Sequence, residues 1–153
     1  MVTDPEKAAE PHILVVDDQP ANLTSLEQIL RFNYQVTLAA NGQACLEQVK
    51  RDHPDLILLD VDMPQMDGLT VCRMIKADPA ISMIPVIFVS ALSRLSERLA
   101  GYHAGADDYV SKPYDVDERS VLPLIIAMIL RSQGSNPVWS RKRWKTPWRL
   151  VQN

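Results

Sequence analysis

Cysteine, glycine and carboxyl-terminal acid are all scarce here: 153 residues include two cysteines and five glycines, and no Asp or Glu follows Glu118. Each shortage excludes something. Two cysteines, Cys45 and Cys72, match no zinc framework. Each falls inside a helix-like apolar pattern and is expected to be a reduced, buried thiol. With 46% hydrophobic residues, the composition is neither collagen-like nor that of a mostly disordered chain. Long apolar runs are missing too. The longest, residues 121–130, is broken by Pro123 and falls short of the roughly 20 residues a membrane span needs. The first eleven residues carry Asp4, Glu6 and Glu10 with no apolar stretch, unlike a secretory signal. A soluble, cytoplasmic protein without a membrane contact is therefore expected.

The missing acid at the carboxyl end exposes two kinds of polymer. Residues 1–131 hold 11 basic and 19 acidic residues, whereas residues 132–153 hold five basic and none acidic. The expected organisation is a loose leader over 1–11, one domain over 12–131 and a basic, Trp-rich extension over 132–153. That extension interleaves Trp139, Trp144 and Trp148 with Arg141, Lys142, Arg143, Lys145 and Arg149. Such a pattern suits an extension, a peptide docking on a neighbour, or an anionic surface. It contains no recognisable DNA-binding module, so nucleic acid is not the expected partner.

Within the domain, short apolar runs alternate with amphipathic stretches. Strands are predicted at 12–16, 35–39, 55–59, 85–89 and 107–110. Ile13-Leu14-Val15-Val16, Leu56-Ile57-Leu58-Leu59 and Val86-Ile87-Phe88-Val89 are apolar throughout, as in parallel strands covered on both faces. Leu23, Leu26, Ile29 and Leu30 space as one helical face, with Pro20 suited to the first turn. Asn41 can cap a helix carrying Cys45, Leu46 and Val49. Leu69, Cys72 and Ile75 mark a third helix, ended before Pro79. Leu95, Leu99 and Tyr102 mark a fourth, stopped by Gly105. Asp115 with Glu118 reads as a capping box for a fifth. That fifth stretch is apolar on every face, so it must be covered or sticky, and Pro123 should kink or restart it. Five strand–helix repeats predict a doubly wound α/β fold: a five-stranded parallel sheet with right-handed crossovers and helices on both faces.

Ligands bind such sheets beyond the carboxyl ends of the strands. Asp17 and Asp18 follow the first strand, Asp60 the third, Ser90 the fourth and Lys112 the fifth. Singly, each has a bland role: an Asp caps a helix, Lys112-Pro113 makes a turn, Ser90 caps the next helix. Jointly, they converge on one sheet edge. Clustered carboxylates repel and call for a hard cation such as Mg2+. A metal, a lysine and a hydroxyl around one carboxylate are the parts that stabilise a phosphoryl group in transfer, and aspartate is a known acceptor nucleophile.

The chain resembles the response-regulator receiver domain of bacterial two-component systems over roughly residues 11–131. Five blocks carry the resemblance: Ile13-Leu14-Val15-Val16-Asp17-Asp18, then Leu58-Leu59-Asp60-Val61-Asp62-Met63-Pro64-Gln65-Met66-Asp67-Gly68, then Pro85-Val86-Ile87-Phe88-Val89-Ser90-Ala91, Gly105-Ala106-Asp107-Asp108-Tyr109, and Lys112-Pro113-Tyr114. It implies the flavodoxin-like strand order 2-1-3-4-5. It also implies that Asp60 accepts phosphate from a sensor histidine kinase or phosphotransfer protein. Asp17 and Asp18 would hold Mg2+ with Asp60 and the backbone carbonyl of Asp62. Lys112 would contact the phosphoryl group, Ser90 would give it a hydroxyl, and Tyr109 would be the aromatic switch. Met63, Pro64 and Gly68 would shape the loop beside the acceptor. The output would be an altered surface around residues 91–114, read by an effector protein or domain, or a homodimer.

Two alternatives belong to other classes. Asp60-Val61-Asp62 resembles the nucleophile loop of haloacid-dehalogenase-type phosphatases, but Met63 and Pro64 replace that family's following residues and the motif lies on the third strand. A pseudo-receiver binding module would normally have lost the acceptor or the acidic pair, and both are present.

Overall fold

The computed structural model describes residues 10–90, 95–111 and 121–132. Five strands alternate with five helices. In chain order these are β1 (His12–Val16), α1 (Pro20–Leu30), β2 (Gln35–Ala39), α2 (Gly42–Asp52), β3 (Leu56–Leu59), α3 (Gly68–Ala77), β4 (Val86–Ser90), α4 (Leu95–His103), β5 (Asp108–Ser111) and α5 (Val121–Ser132). The sheet is entirely parallel, in the order β2-β1-β3-β4-β5. Each crossover therefore carries a helix, as parallel pairing requires.

The three apolar runs form the centre of the sheet. Their side chains alternate between two cores because successive residues of a strand point to opposite faces. Leu14, Val16, Ile57, Leu59, Val86 and Phe88 pack with α2, α3 and Ala104. Ile13, Val15, Leu56, Leu58, Ile87 and Val89 pack with α1 and with Ile126 and Leu130 of α5. Cys45 and Cys72 are free and buried as expected. Burial pushes the Cys45 thiol up to about 12 and the Cys72 thiol up to about 11.

Helix signals acted as anticipated at three places. Pro20 occupies the first turn of α1. The Asn41 side chain accepts the Ala44 N–H at 2.8 Å. Gly105 takes a left-handed φ of 102° after α4. The fourth helix departs from expectation. Leu99 and Tyr102 are exposed, and among the described side chains of this stretch the buried ones are Gly101 and, just past the helix, Ala104. The reason is close approach: a Cβ on Gly101 would stand 3.0 Å from the Phe88 ring, so at this last turn a small residue rather than a large one faces the sheet. In α5, Ile126 and Leu130 are covered while Met128 is 63% exposed. The apolar helix is therefore covered on one side and open on another. Asp115, Glu118 and the 132–153 extension beyond Ser132 lie outside the described residues.

Strand starts shift by one residue where an aspartate was counted into the strand. Asp55 and Asp107 instead clip neighbouring strands: Asp55 accepts the His12 N–H at 2.7 Å, and Asp107 accepts the Val86 N–H at 2.9 Å. Strand β4 conversely runs on to Ser90, and β5 to Ser111.

Candidate functional site

Register sets the site. Val16 pairs with Leu59, and Leu59 with Phe88, so the residues after β1 and β3 leave the sheet at the same level. The Asp60 N–H donates to the Val16 carbonyl at 2.9 Å, and the Asp17 N–H to the Ala39 carbonyl at 3.1 Å. The sheet's hydrogen bonding thus continues one step past the strands and fixes both aspartates. Asp17 is 1% exposed and Asp60 5%, and they are the only buried charged side chains among the described residues. Asp18 is half-buried beside them.

Asp17, Asp18 and Asp60 each offer a carboxylate oxygen, all within 4.8 Å of one another. At about 4 Å, two unit charges repel by about 1 kcal/mol in bulk water and about 4 kcal/mol at an effective dielectric of 20. Three together strongly favour a cation. An all-oxygen donor set suits a hard divalent ion. The Gln19 N–H donates to Asp17 Oδ1 at 2.9 Å, orienting that carboxylate from the entry to α1.

The loop after β3 is tightly folded. The Gly68 N–H donates to the Val61 carbonyl at 2.8 Å, and the Met66 N–H to the Pro64 carbonyl at 2.8 Å. Gln65 has a left-handed φ of 68°. A Cβ on Gly68 would overlap the Asp60 carbonyl oxygen, so only glycine lets the loop close this tightly against Asp60. Val61 and Met63 are buried, holding the loop down, while Asp62 is exposed within it. Asp67 is not part of the cluster: its side chain caps α3 by accepting the Thr70 N–H at 2.8 Å.

The remaining sequence-predicted residues divide. Ser90 ends β4, in register with Ser111 at the end of β5, which puts it at the same sheet edge as the cluster. Its side chain lies outside the described residues, as does all of Lys112. Tyr109 pairs with Phe88 and is half-buried, packed against the core near Gly101. Sequence reasoning missed the Gln19 backbone donor, which has no side-chain signature.

Residues 13–121 match the family model for the response regulator receiver domain. The response regulator PleD of Caulobacter vibrioides is 48% identical over 104 residues, covering 67% of this chain and 23% of PleD. The response regulator MprA of Mycobacterium leprae is 44% identical over 122 residues, covering 79% of this chain and 52% of MprA. The chain thus spans about a quarter of the length of PleD and about half that of MprA. Among solved structures, a response regulator receiver domain protein from Methanospirillum hungatei superposes with a TM-score of 0.73 at 31% identity, over 82% of this chain and 98% of that one.

Proposed function

This chain belongs to the response regulator receiver domain family of two-component systems, and from that premise we propose that it is a phosphorylation-controlled switch whose phosphoryl acceptor is Asp60. The observation that carries this reading is the Asp17–Asp18–Asp60 cluster at the carboxyl edge of the sheet. An Asp60 carboxylate oxygen would attack the phosphorus of a phosphohistidine. The P–N bond breaks, and its electron pair leaves with the imidazole of the donor. Bound Mg2+ would neutralise charge on the phosphoryl oxygens. Asp17, Asp18, Asp60 and the Asp62 carbonyl would be its protein ligands, and the three clustered carboxylates fit it chemically. Ser90 ends β4, and Lys112 is the next residue in sequence after β5, so on this reading both would receive the added charge. Phosphorylation adds nearly two negative charges and strong acceptor oxygens, which would shift the surface around α4 and β5, with Tyr109 moving in response.

On this reading the protein is a cytoplasmic regulator. Residues 12–131 form the switching body and residues 132–153 a separate basic extension. A sensor histidine kinase or phosphotransfer protein donates the phosphate, and an effector protein or domain reads the result. Neither a phosphatase nor a pseudo-receiver is favoured: the chain matches the receiver family, Asp60 directly follows the third strand, and Asp17, Asp18 and Asp60 are all present.

Acetyl phosphate with Mg2+ should label the wild-type chain and leave Asp60→Ala unlabelled. Mg2+-dependent labelling of Asp60→Ala would remove Asp60 as acceptor. Turnover of p-nitrophenyl phosphate would revive the phosphatase alternative.

A further inference from the structure

We propose that Gly42 is a positioning residue for the metal site, acting through the loop that follows β3; this rests on the proposed Mg2+ role of that loop. Gly42 opens α2 and is buried. What it faces is the acceptor loop and its continuation. A Cβ built on Gly42 would stand 2.8 Å from Val71 Cγ2 and 3.0 Å from Met66 Sδ. Met66 lies inside the loop, and Val71 lies in the first turn of α3, into which the loop runs.

Apart from the half-buried, unbranched Met66 side chain, these bodies have little slack. The first turn of α2 is pinned by the Asn41 cap and by buried Cys45 and Leu46. Val71 is fully buried and β-branched, so it does not rotate away cheaply. The other end of the loop is held where Gly68 lies directly against the Asp60 carbonyl. A methyl group on Gly42 would therefore push Met66 and Val71, and that push reaches the backbone of Asp60 through Gly68. The absence of one side chain on α2 sets the height at which the loop presents Asp60 and the Asp62 carbonyl. Backbone strain is not involved, because Gly42 is not in the left-handed region. Alanine is also the better helix former, so in open space the substitution would help α2.

The test is Mg2+ titration of the full chain by calorimetry, with thermal melts in parallel, for wild type, Gly42→Ala, Val71→Ala and the double variant. Gly42→Ala is expected to weaken Mg2+ binding about tenfold, the scale of a displaced supporting contact. Val71→Ala leaves a cavity but no push: it should lower the melting temperature and keep wild-type Mg2+ affinity. Combining the two should restore most of the affinity lost in Gly42→Ala. Should Gly42→Ala fail to fold, Met66→Phe carries the test from the other side by crowding the same contact from the loop, with an expected loss of about threefold. Wild-type affinity in Gly42→Ala, or in Met66→Phe when it stands in, overturns the proposal. A wild-type chain that does not bind Mg2+ overturns the metal-site reading itself, a failure distinct from the first.

Discussion

The two ends of the sheet use the same residue types to opposite purposes. At the amino end, polar side chains settle one another. Asp55 takes the His12 N–H, and the His12 ring meets the Thr37 hydroxyl at 2.7 Å. The Lys76 ammonium donates to the Ile84 and Ser82 carbonyls at 2.7 and 3.2 Å and lies 3.7 Å from Asp107. These contacts stitch strand starts and loops together. At the carboxyl end, three carboxylates are gathered within 4.8 Å of each other. One end is built for stability. The other concentrates charge of one sign, at a cost that an added cation would relieve. Stability and function are thus divided along the strand axis, as ligand binding beyond the carboxyl ends of an open α/β sheet leads one to expect.

Substitutions at the two ends should behave differently. The largest effect is expected for Gly68→Ala at the carboxyl end, where the new methyl group meets backbone that cannot give way. Denaturant unfolding should show a loss of about 3 kcal/mol, as for severe overpacking. At the amino end, Lys76→Met keeps the aliphatic stem but strands two carbonyls and Asp107. Its expected cost is about 2 kcal/mol by the same measurement, with no change in Mg2+ response.

The core beneath both ends supplies a control. Burial raises the Cys45 and Cys72 thiols from an ordinary 9.0 to about 12 and about 11, so the unfolded chain loses its thiol protons first. Their contribution to stability is complete below pH 9 and is lost as pH rises to about 11 for Cys72 and about 12 for Cys45. Urea melts should fall by about 1.4 kcal/mol per pH unit for each thiol in that window. Replacing both cysteines with alanine should flatten that slope.

The smallest effect should have the opposite sign. Asp18→Asn removes one of three like charges, so in EDTA it should stabilise the protein by about 0.5–1 kcal/mol. Removing a carboxylate from the amino end, as in Asp107→Asn, should not. A destabilised Asp18→Asn in EDTA would erase the contrast between the two ends.

Much of this was legible in the sequence, for a physical reason. Fully apolar runs such as Leu56-Ile57-Leu58-Leu59 have few other uses in a chain this size, and parallel strands fix where residues following them emerge. Asp17, Asp18 and Asp60 could therefore be brought together before any coordinates. The strand starts at Asp55 and Asp107 were misjudged because a clip and a strand residue look alike without a partner. Leu99 and Tyr102 were misjudged because periodicity reports an apolar stripe but not whether small residues will win the close contact, as Gly101 does against Phe88. The importance of Gly42 depends on Met66 and Val71, more than twenty residues away, and no local pattern carries that information.

The central claim is that the carboxyl end of the sheet is a cation-dependent phosphoryl site. Its most direct test is the melting temperature of the wild-type chain and of Asp18→Asn, each in EDTA and in Mg2+. The account predicts that Mg2+ raises the wild-type melting temperature, because a ligand bound only by the folded state stabilises it. It also predicts that Asp18→Asn starts higher in EDTA and gains little from Mg2+. A wild-type melting temperature that is the same in EDTA and in saturating Mg2+ would contradict it.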